Sequence, residues 1–309
     1  MTAFTDVLNC RLPIQLASLG GIGTPALAAA VSDAGGLGMI ANPPSAAEVN
    51  RSMESARALT SRPIGIGFLI PFVAREAVEA AGASADVVEF FYGDPDPDLV
   101  RVAKGRGTLV AWQAGSAGEA LAAEKAGCDF VVAQGVEAGG HVRGSQRLDD
   151  VLAETLAAVD VPVVAAGGVG TVERVAALLA AGAAAVRIGT RFVAAEEADA
   201  HPLYVKMLIA ASRQDTVVTE RFGIGWPNAP HRVLRSAVEA AEQLDRPVAG
   251  VVGDQEIPRF VPLPPTRETR GNVAAMALYA GESVDAVTRI QPASEIVAEL
   301  TANLLGSTS

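Results

Sequence analysis

The residues best suited to chemistry lie in one stretch, VVAQGVEAGGHVRG, at residues 131–144. His141 is one of only three histidines, and an imidazole with an ordinary pKa of about 6.5 can exchange a proton at neutral pH. Gly139 and Gly140 leave space beside it for a substrate, and the Gln134 amide offers both a donor and an acceptor. We predict that His141 is catalytic; the alternative is a structural histidine in a loop.

Two further stretches are rich in glycine and predict a phosphate site. VPVVAAGGVGTVE contains Gly167 and Gly168, and AAVRIGTRF contains Gly189 followed by Thr190. Backbone amides that carry no side chain can approach an anion closely. The alternative is a pair of tight turns that need glycine for a positive φ. A third stretch, ASLGGIGTPALAAA at residues 17–30, would let a flat ring approach the backbone.

Eight short apolar runs recur along the first two thirds of the chain, each followed by a stretch of helical length. They lie at residues 13–17, 36–40, 64–69, 87–92, 109–113, 130–134, 161–166 and 185–189. Runs that are nearly continuous in Val, Ile, Ala and Phe are typical of parallel strands covered on both faces. The pattern predicts an α/β fold, a (β/α)8 TIM barrel, with its chemistry on the loops that follow the strands.

The alternation of apolar runs and helical stretches ends after the eighth strand. This change predicts three segments in the chain. Residues 1–195 would form the cofactor-binding barrel, and 196–270 a small lid domain inserted after strand 8. Residues 271–309 would form helices that pack back on the barrel. Within these segments we expect a helix over 192–211 and helical structure over 276–287 and 292–305.

Composition narrows the classes of function. The chain has 309 residues, with 24 Lys and Arg against 35 Asp and Glu, a net charge of −11. Without a basic run, nucleic acid and anionic membrane surfaces are disfavoured as partners, and a small-molecule substrate is expected. Cys10 and Cys128 have no metal-ligand or disulfide spacing, and no metal motif is present. Without an apolar span or signal peptide, we expect a cytoplasmic protein.

Several of these motifs together resemble one known family. PIQLASLGGIGTPALAAAVSDAGGLGMI, QGVEAGGHVRG, VPVVAAGGVG, RIGTRF and MALYAGES look like the nitronate monooxygenases, formerly called 2-nitropropane dioxygenases. The resemblance covers nearly the whole chain, and the EAGGH loop after strand six is its distinctive part. It implies an FMN-dependent barrel enzyme that oxidises alkyl nitronates with molecular oxygen to a carbonyl compound and nitrite.

The resemblance also implies roles for single residues. His141 would be the active-site histidine. The residues implied at the cofactor are Ala17, Ser18, Leu19, Gly67, Gln134, Gly139, Gly140, Gly167, Gly168, Arg187, Gly189 and Thr190. Of these, Gly167, Gly168, Gly189 and Thr190 would hold the phosphate. Arg187 and Ile188 sit where the family often has a glutamine followed by an apolar residue. The sequence departs from the family pattern at two places: Ala17-Ser18-Leu19 replaces Ala-Pro-Met, and Gly67 replaces an asparagine often found after strand three.

Two other functions remain open from the sequence. FMN-type enoyl-acyl-carrier-protein reductases, which use NAD(P)H, share the barrel and have a closely similar EAGGH loop. A flavin-binding protein without turnover of its own is the third reading.

Overall fold

The computed structural model describes residues 3–105 and 107–304. Strands in these residues run, in chain order, β1 (Ile14–Leu16), β2 (Gly38–Ala41), β3 (Ile64–Leu69), β4 (Val87–Phe91), β5 (Leu109–Ala114), β6 (Phe130–Gln134), β7 (Gly140–His141), β8 (Val163–Ala166), β9 (Ala185–Ile188), β10 (Thr216–Thr219), β11 (His231–Leu234), β12 (Val248–Val252), β13 (Gln255–Pro258) and β14 (Arg270–Gly271). The eight predicted strands are all present. The predicted seventh and eighth are β8 and β9, because the short β7 forms within the loop after β6.

The eight strands form a closed parallel barrel. Their order is β1-β9-β8-β6-β5-β4-β3-β2, and a parallel bridge between Gln15 and Leu37 joins the two ends. At this seam the Leu16 N–H donates to Leu37 O over 2.9 Å, and the Leu37 N–H donates to Ile14 O over 2.8 Å. The predicted TIM barrel is therefore confirmed, and the carboxyl ends of all eight strands meet at one end of the molecule.

Helices cover the outside of the barrel and continue beyond it. They are α1 (Ala3–Leu8), α2 (Pro25–Asp33), α3 (Ala46–Arg57), α4 (Arg75–Ser84), α5 (Pro97–Ala103), α6 (Ala117–Lys125), α7 (Leu148–Ala158), α8 (Val172–Ala180), α9 (Thr190–Val193), α10 (Pro202–Ile209), α11 (Arg235–Gln243) and α12 (Ala293–Thr301). Side-chain caps fix several starts: Thr24 accepts the Leu27 N–H over 2.9 Å, and Thr171 accepts the Arg174 N–H over 3.3 Å. These caps end the loops after β1 and β8 at defined residues.

The barrel core is built from the apolar runs that the sequence shows. Every residue of β4, β6 and β8 is buried, as parallel strands with two covered faces require. Aromatic side chains fill the interior next to β4, where the Phe90 ring lies 5.1 Å from Trp112 and 6.2 Å from Phe68 between centroids. This packing supports the strand ends that carry the loops described below.

The predicted helix over 192–211 is confirmed only in part, because the structure divides it into two helices. The chain leaves α9 at Val193 and begins α10 only at Pro202, which has no N–H to continue a helix and sits at its first position. Between them, Ala195 pairs with Gln291 in a parallel bridge, and the Glu196 N–H donates to Gln291 O over 3.1 Å. A non-local backbone contact therefore replaces the helical hydrogen bonds there.

The helical prediction for 276–287 is also wrong in its first half. Tyr279 pairs with Val233 of β11 in an antiparallel bridge, and the Leu234 N–H donates to Leu278 O over 2.9 Å. Only the short 3₁₀ turn Glu282–Ala286 is helical. The prediction for 292–305 is met by α12, which packs against α2 and α8, although residue 305 lies outside the described residues.

Two small antiparallel sheets adjoin the barrel, and all of their strands except β7 follow β9 in sequence. One has the order β10-β11-β7 and the other β13-β12-β14. The first sheet includes β7, so it ties the loop after β6 to the segment predicted as a lid. The division at residues 195 and 270 stays a prediction, and its outer ends at 1–2 and 305–309 lie outside the described residues.

Neither cysteine pairs with another group covalently. Cys10 and Cys128 are buried and free, and burial raises the pKa of each thiol to about 12. Within 3–105 and 107–304, no group of three or more His, Cys, Asp or Glu side chains is placed to hold a metal ion. Nor does any helix in those ranges have the length and apolar character needed to cross a bilayer.

The contact between α2 and β2 yields a stability prediction. A Cβ at Gly38 would overlap the backbone carbonyl of Ala28, so the helix and strand would have to separate. We expect Gly38→Ala to lower the free energy of unfolding by about 1–3 kcal/mol, measured by urea denaturation. The control is Gly118→Ala on the exposed side of α6, where a Cβ meets nothing closer than 3.9 Å. It should stabilise by about 0.5–1 kcal/mol, and equal losses in both variants would contradict the packing argument.

Candidate active site

A cavity of about 550 Å³ lies at the carboxyl ends of the barrel strands. Its size falls within the range of small-molecule sites, about 300–1,000 Å³. The structure brings all of the sequence-predicted site residues to its wall: Ala17, Ser18, Leu19, Gly67, Gln134, Gly139, Gly140, His141, Gly167, Gly168, Arg187, Gly189 and Thr190. The wall also includes residues that the sequence reasoning missed, among them Asn42, Glu89, Gln113, Trp226 and Tyr279.

The loops after β8 and β9 present backbone donors to the cavity. Gly167 and Gly168 have φ of 118° and 66°, so these two positions need glycine for their turn. No backbone carbonyl in residues 3–105 or 107–304 accepts a hydrogen bond from the N–H of Gly167, Gly168 or Gly189. The positive φ angles agree with the alternative that these glycines form tight turns. The same loops also leave backbone N–H groups available to an anion.

The EAGGH loop is held from both sides. The buried Glu137 carboxylate accepts the Leu148 N–H over 2.9 and 3.1 Å, which fixes the loop to the start of α7. Gly139 packs against the backbone of Gly281, where no Cβ would fit. Beyond it, His141 pairs with His231 between β7 and β11. The loop therefore has one defined path, which carries the imidazole to the cavity wall.

His141 lies among aromatic rings. Its ring stacks on Trp226 at 3.9 Å between centroids with an interplanar angle of 23°, and Tyr92 and Tyr279 each lie 5.7 Å away. Burial, with a smaller effect from His231, lowers the pKa of His141 to about 3. Its Nε2 is buried and has no hydrogen-bond partner in the described residues. The ordinary pKa assumed from sequence is therefore wrong, because desolvation keeps this imidazole neutral at neutral pH.

Neighbouring side chains hold His141 rather than share its role. The His231 Nδ1 lies 2.8 Å from Ala229 O, and its Nε2 accepts the Phe222 N–H over 3.3 Å, so both ring nitrogens are used. Because a carbonyl can only accept, the proton of His231 is on Nδ1. The Gln134 Nε2 donates to His141 O over 3.0 Å. These contacts position the loop, and the His141 Nε2 stays without a hydrogen-bond partner in the described residues.

The floor of the cavity contains a buried ion pair. Arg187 on β9, 5% exposed, donates to the Glu89 carboxylate on β4, 2% exposed, and to the Gln113 Oε1. The Gln15 Nε2 also donates to Glu89, over 3.2 Å. Glu89 was missed from sequence, although a single carboxylate inside the apolar run VVEFF is the signal that marks it. The pair cancels the two charges and leaves the Arg187 Nε without a partner.

The position expected for Gly67 needs correction. It lies within β3 rather than after it, and a Cβ there would overlap the Ser18 Oγ. The asparagine that lines the cavity is Asn42, directly after β2, and its Oδ1 accepts the Leu69 N–H over 3.1 Å. Gly67 therefore makes room for Ser18, whose buried hydroxyl has no partner in the described residues.

Three buried polar atoms at this wall thus lack partners: Ser18 Oγ, His141 Nε2 and Arg187 Nε. Buried polar groups are nearly always hydrogen-bonded, so unpartnered ones that line a cavity indicate a polar ligand. Together with the free amides of the β8 and β9 loops, they suit a ligand with a polar ring edge and an anionic group.

Comparisons with known proteins show the family to which the chain is similar. The family model of nitronate monooxygenase matches residues 1–80 and 70–303. A nitronate monooxygenase of Pseudomonas aeruginosa is 33% identical over 98% of this chain and 99% of that protein. An octahydroindene carboxyl-CoA dehydrogenase of Rhodococcus jostii is 32% identical over 76% of this chain and 66% of that protein.

Solved structures are similar over the whole chain. FabK of Thermotoga maritima has a TM-score of 0.80 and 31% identity, covering 99% of this chain and 96% of that one. Nitroalkane oxidase of Streptomyces ansochromogenes has a TM-score of 0.77 and 30% identity, covering 98% of each. Because the family model and a relative of more than 30% identity both span nearly all of it, the chain belongs to the nitronate monooxygenase family of flavin-dependent oxidoreductases.

Proposed function

We propose that this enzyme uses FMN to oxidise alkyl nitronates with O₂ to a carbonyl compound and nitrite. The observation that carries the proposal is the neutral, half-buried His141, which lines the cavity and whose Nε2 has no hydrogen-bond partner in the described residues. Family membership and the similarity to a nitroalkane oxidase support the same reaction. The cytoplasmic location and the use of O₂ stay predictions.

The residues present fit FMN. The free N–H groups of Gly167, Gly168 and Gly189, with the backbone of Thr190, would hold its phosphate. The unpartnered Ser18 Oγ and Arg187 Nε would donate to the polar edge of its ring. When bound, FMN supplies the electron acceptor that the oxidation requires.

His141 would bind the anionic head of the nitronate. With a pKa of about 3 it is neutral at neutral pH, so it acts as a hydrogen-bond donor and not as an acid. In the Nε2–H tautomer it donates to a nitro oxygen, where negative charge resides. A fixed donor in a desolvated pocket stabilises such charge more strongly than water does. The Gln134 contact and the Trp226 stack keep this donor in place.

One rival function has a specific observation behind it. The similarity to FabK over 99% of the chain favours an NAD(P)H-dependent enoyl-thioester reductase of the acyl-carrier-protein type. Anaerobic addition of NADH or of a nitronate to the yellow protein separates the two. Fast bleaching by the nitronate supports the oxidase, and fast bleaching by NADH supports the reductase. If neither compound bleaches the flavin, the result supports a flavin-binding protein without turnover.

His141→Ala should keep bound flavin and lose about 10²–10³-fold in kcat for nitronate oxidation, because one donor to developing or resident negative charge is removed. Oxygen uptake and nitrite release measure the loss. The matched control is His201→Ala: His201 caps α10 through the Leu203 N–H and does not line the cavity. Unchanged turnover in His141→Ala would refute its role.

Gly168→Asp should weaken FMN binding at least tenfold, because a carboxylate in the phosphate cradle repels the phosphate. Riboflavin, which lacks the phosphate, should bind with little change, as measured by quenching of flavin fluorescence. Gly182→Asp is the matched control, since Gly182 also has a positive φ, 107°, but is exposed and outside the cavity. If both flavins were lost equally from Gly168→Asp, the phosphate assignment would be wrong.

The lowered pKa of His141 predicts a pH effect on stability. In the unfolded chain this imidazole takes up a proton below about pH 6.5, whereas the folded protein keeps it neutral down to about 3. Its contribution is therefore fully present above pH 6.5 and is lost as the pH falls toward 3. His141→Gln should make the free energy of unfolding less dependent on pH between 7 and 5. An identical pH dependence in wild type and variant would contradict the low pKa.

A further inference from the structure

The mouth of the cavity carries exposed apolar side chains. Phe72, Ile224 and Leu263, which we call the apolar rim, are 45%, 53% and 45% exposed. They come from three separate segments: the turn after β3, the β10–β11 connection and the segment after β13. All three line the same cavity. Large apolar side chains left in water around one opening mark a binding surface.

Contacts between segments hold the rim in place. The Phe72 ring meets Trp226 edge to face at 5.0 Å. The Ile224 N–H donates to Phe260 O over 3.1 Å, which joins the two segments above the barrel. Beside Leu263, the Pro262 carbonyl accepts the Tyr279 hydroxyl over 3.0 Å. The rim is therefore a built surface and not three independent loop tips.

Two apolar walls lead from the rim down to the imidazole. Trp226 contacts Phe72 at one end and stacks on His141 at the other. Tyr279 reaches from the Pro262 carbonyl to within 5.7 Å of the His141 ring centroid. A ligand whose head lies at His141 would thus meet apolar surface all the way to the opening.

Charge is missing from these walls. Of the described residues that line the cavity, Glu89 and Arg187 are the charged ones, and they pair with each other at its floor. No described residue that lines the mouth carries a charge that could neutralise a charged group at the far end of a substrate. Placing such a group there would require desolvation without a partner.

Resting on the proposed function, we propose that the substrate of this site is a nitronate with an extended uncharged alkyl chain, which runs from the reacting carbon past Trp226 to the apolar rim. Burial of each methylene group along the walls contributes about fourfold to binding. Short nitronates would be poor substrates because they leave the apolar walls exposed to water. Nitronates that carry a carboxylate would be poor substrates because they place a charge at an apolar mouth.

Chain length tests the proposal with the flavin-loaded enzyme. We expect kcat/KM to rise about fourfold per added methylene through the nitronates of nitroethane, nitrobutane, nitrohexane and nitrooctane. The nitronate of β-nitropropionate should be used less well than that of nitrobutane. Equal kcat/KM across the series, or a preference for the carboxylate, would overturn the proposal.

Variants of the rim locate the effect. Ile224→Asn and Leu263→Asn should each lower the ratio of kcat/KM for nitrooctane over nitroethane about tenfold. Leu263→Lys should raise kcat/KM for the β-nitropropionate nitronate relative to nitrobutane. The matched control is Ile290→Asn, since Ile290 is 55% exposed and does not line the cavity. An equal drop in the ratio for Ile290→Asn would overturn the assignment to the rim.

A binding measurement separates this proposal from the proposed reaction. Neutral alcohols contain no nitronate to oxidise, so their binding can be followed by the change in flavin absorbance. Octanol should bind about 250-fold more tightly than butanol, with the difference reduced in Ile224→Asn. If nitronates are not oxidised but octanol is preferred, the reaction is wrong and the apolar chain site stands. If nitronates are oxidised without any preference for octanol, the chain site is wrong. The chain site would also be wrong if a second copy of the chain covered the apolar rim. In that case variants of the rim would dissociate the protein in sedimentation experiments.

Discussion

Closure of the barrel is the constraint on which the rest of the structure depends. The bridge between Gln15 and Leu37 joins β1 to β2, so that eight strands share one direction and one ring of hydrogen bonds. Loops that are far apart in sequence then meet because their strands end at the same level. The glycines after β8 and β9, the first loop and the EAGGH loop come together for this reason alone. None of these loops is next to another in the sequence.

Enclosure of His141 is the second determinant, and it comes from outside the barrel. Trp226 and Tyr279 belong to segments that follow β9, and β11 pairs with the strand that carries His141. These segments exclude water from the imidazole and so lower its pKa. In such surroundings a hydrogen bond is stronger than in water, while a charged imidazolium is disfavoured. The segments after the barrel therefore set the chemistry of a residue that the barrel presents.

On the floor of the cavity, the buried pair Arg187–Glu89 neutralises two charges. Either charge alone would be strongly destabilising at this depth, and the pair is tolerated because Gln15 and Gln113 supply further hydrogen bonds. The result is a floor without net charge but with one directed N–H, the Arg187 Nε. Neutral donors below and apolar walls above make a site that recognises an anionic or polar head by hydrogen bonds and an uncharged chain by burial.

The sequence by itself determined the eight strands, several helix starts and the residues of the four loops at the site. Apolar runs, caps such as Thr24 and the glycine positions act over a few residues, so they can be seen locally. All predicted site residues line one cavity, although their roles remain predictions.

Only the tertiary structure decided the remaining features. Residues 276–281 are extended because Leu278 and Tyr279 pair with β11, although their composition favours a helix. The place of Asn42 and the aromatic surroundings of His141 likewise depend on contacts between distant segments. The low pKa of His141 follows from the same cause, because desolvation is a property of the packed molecule and is absent from the local sequence.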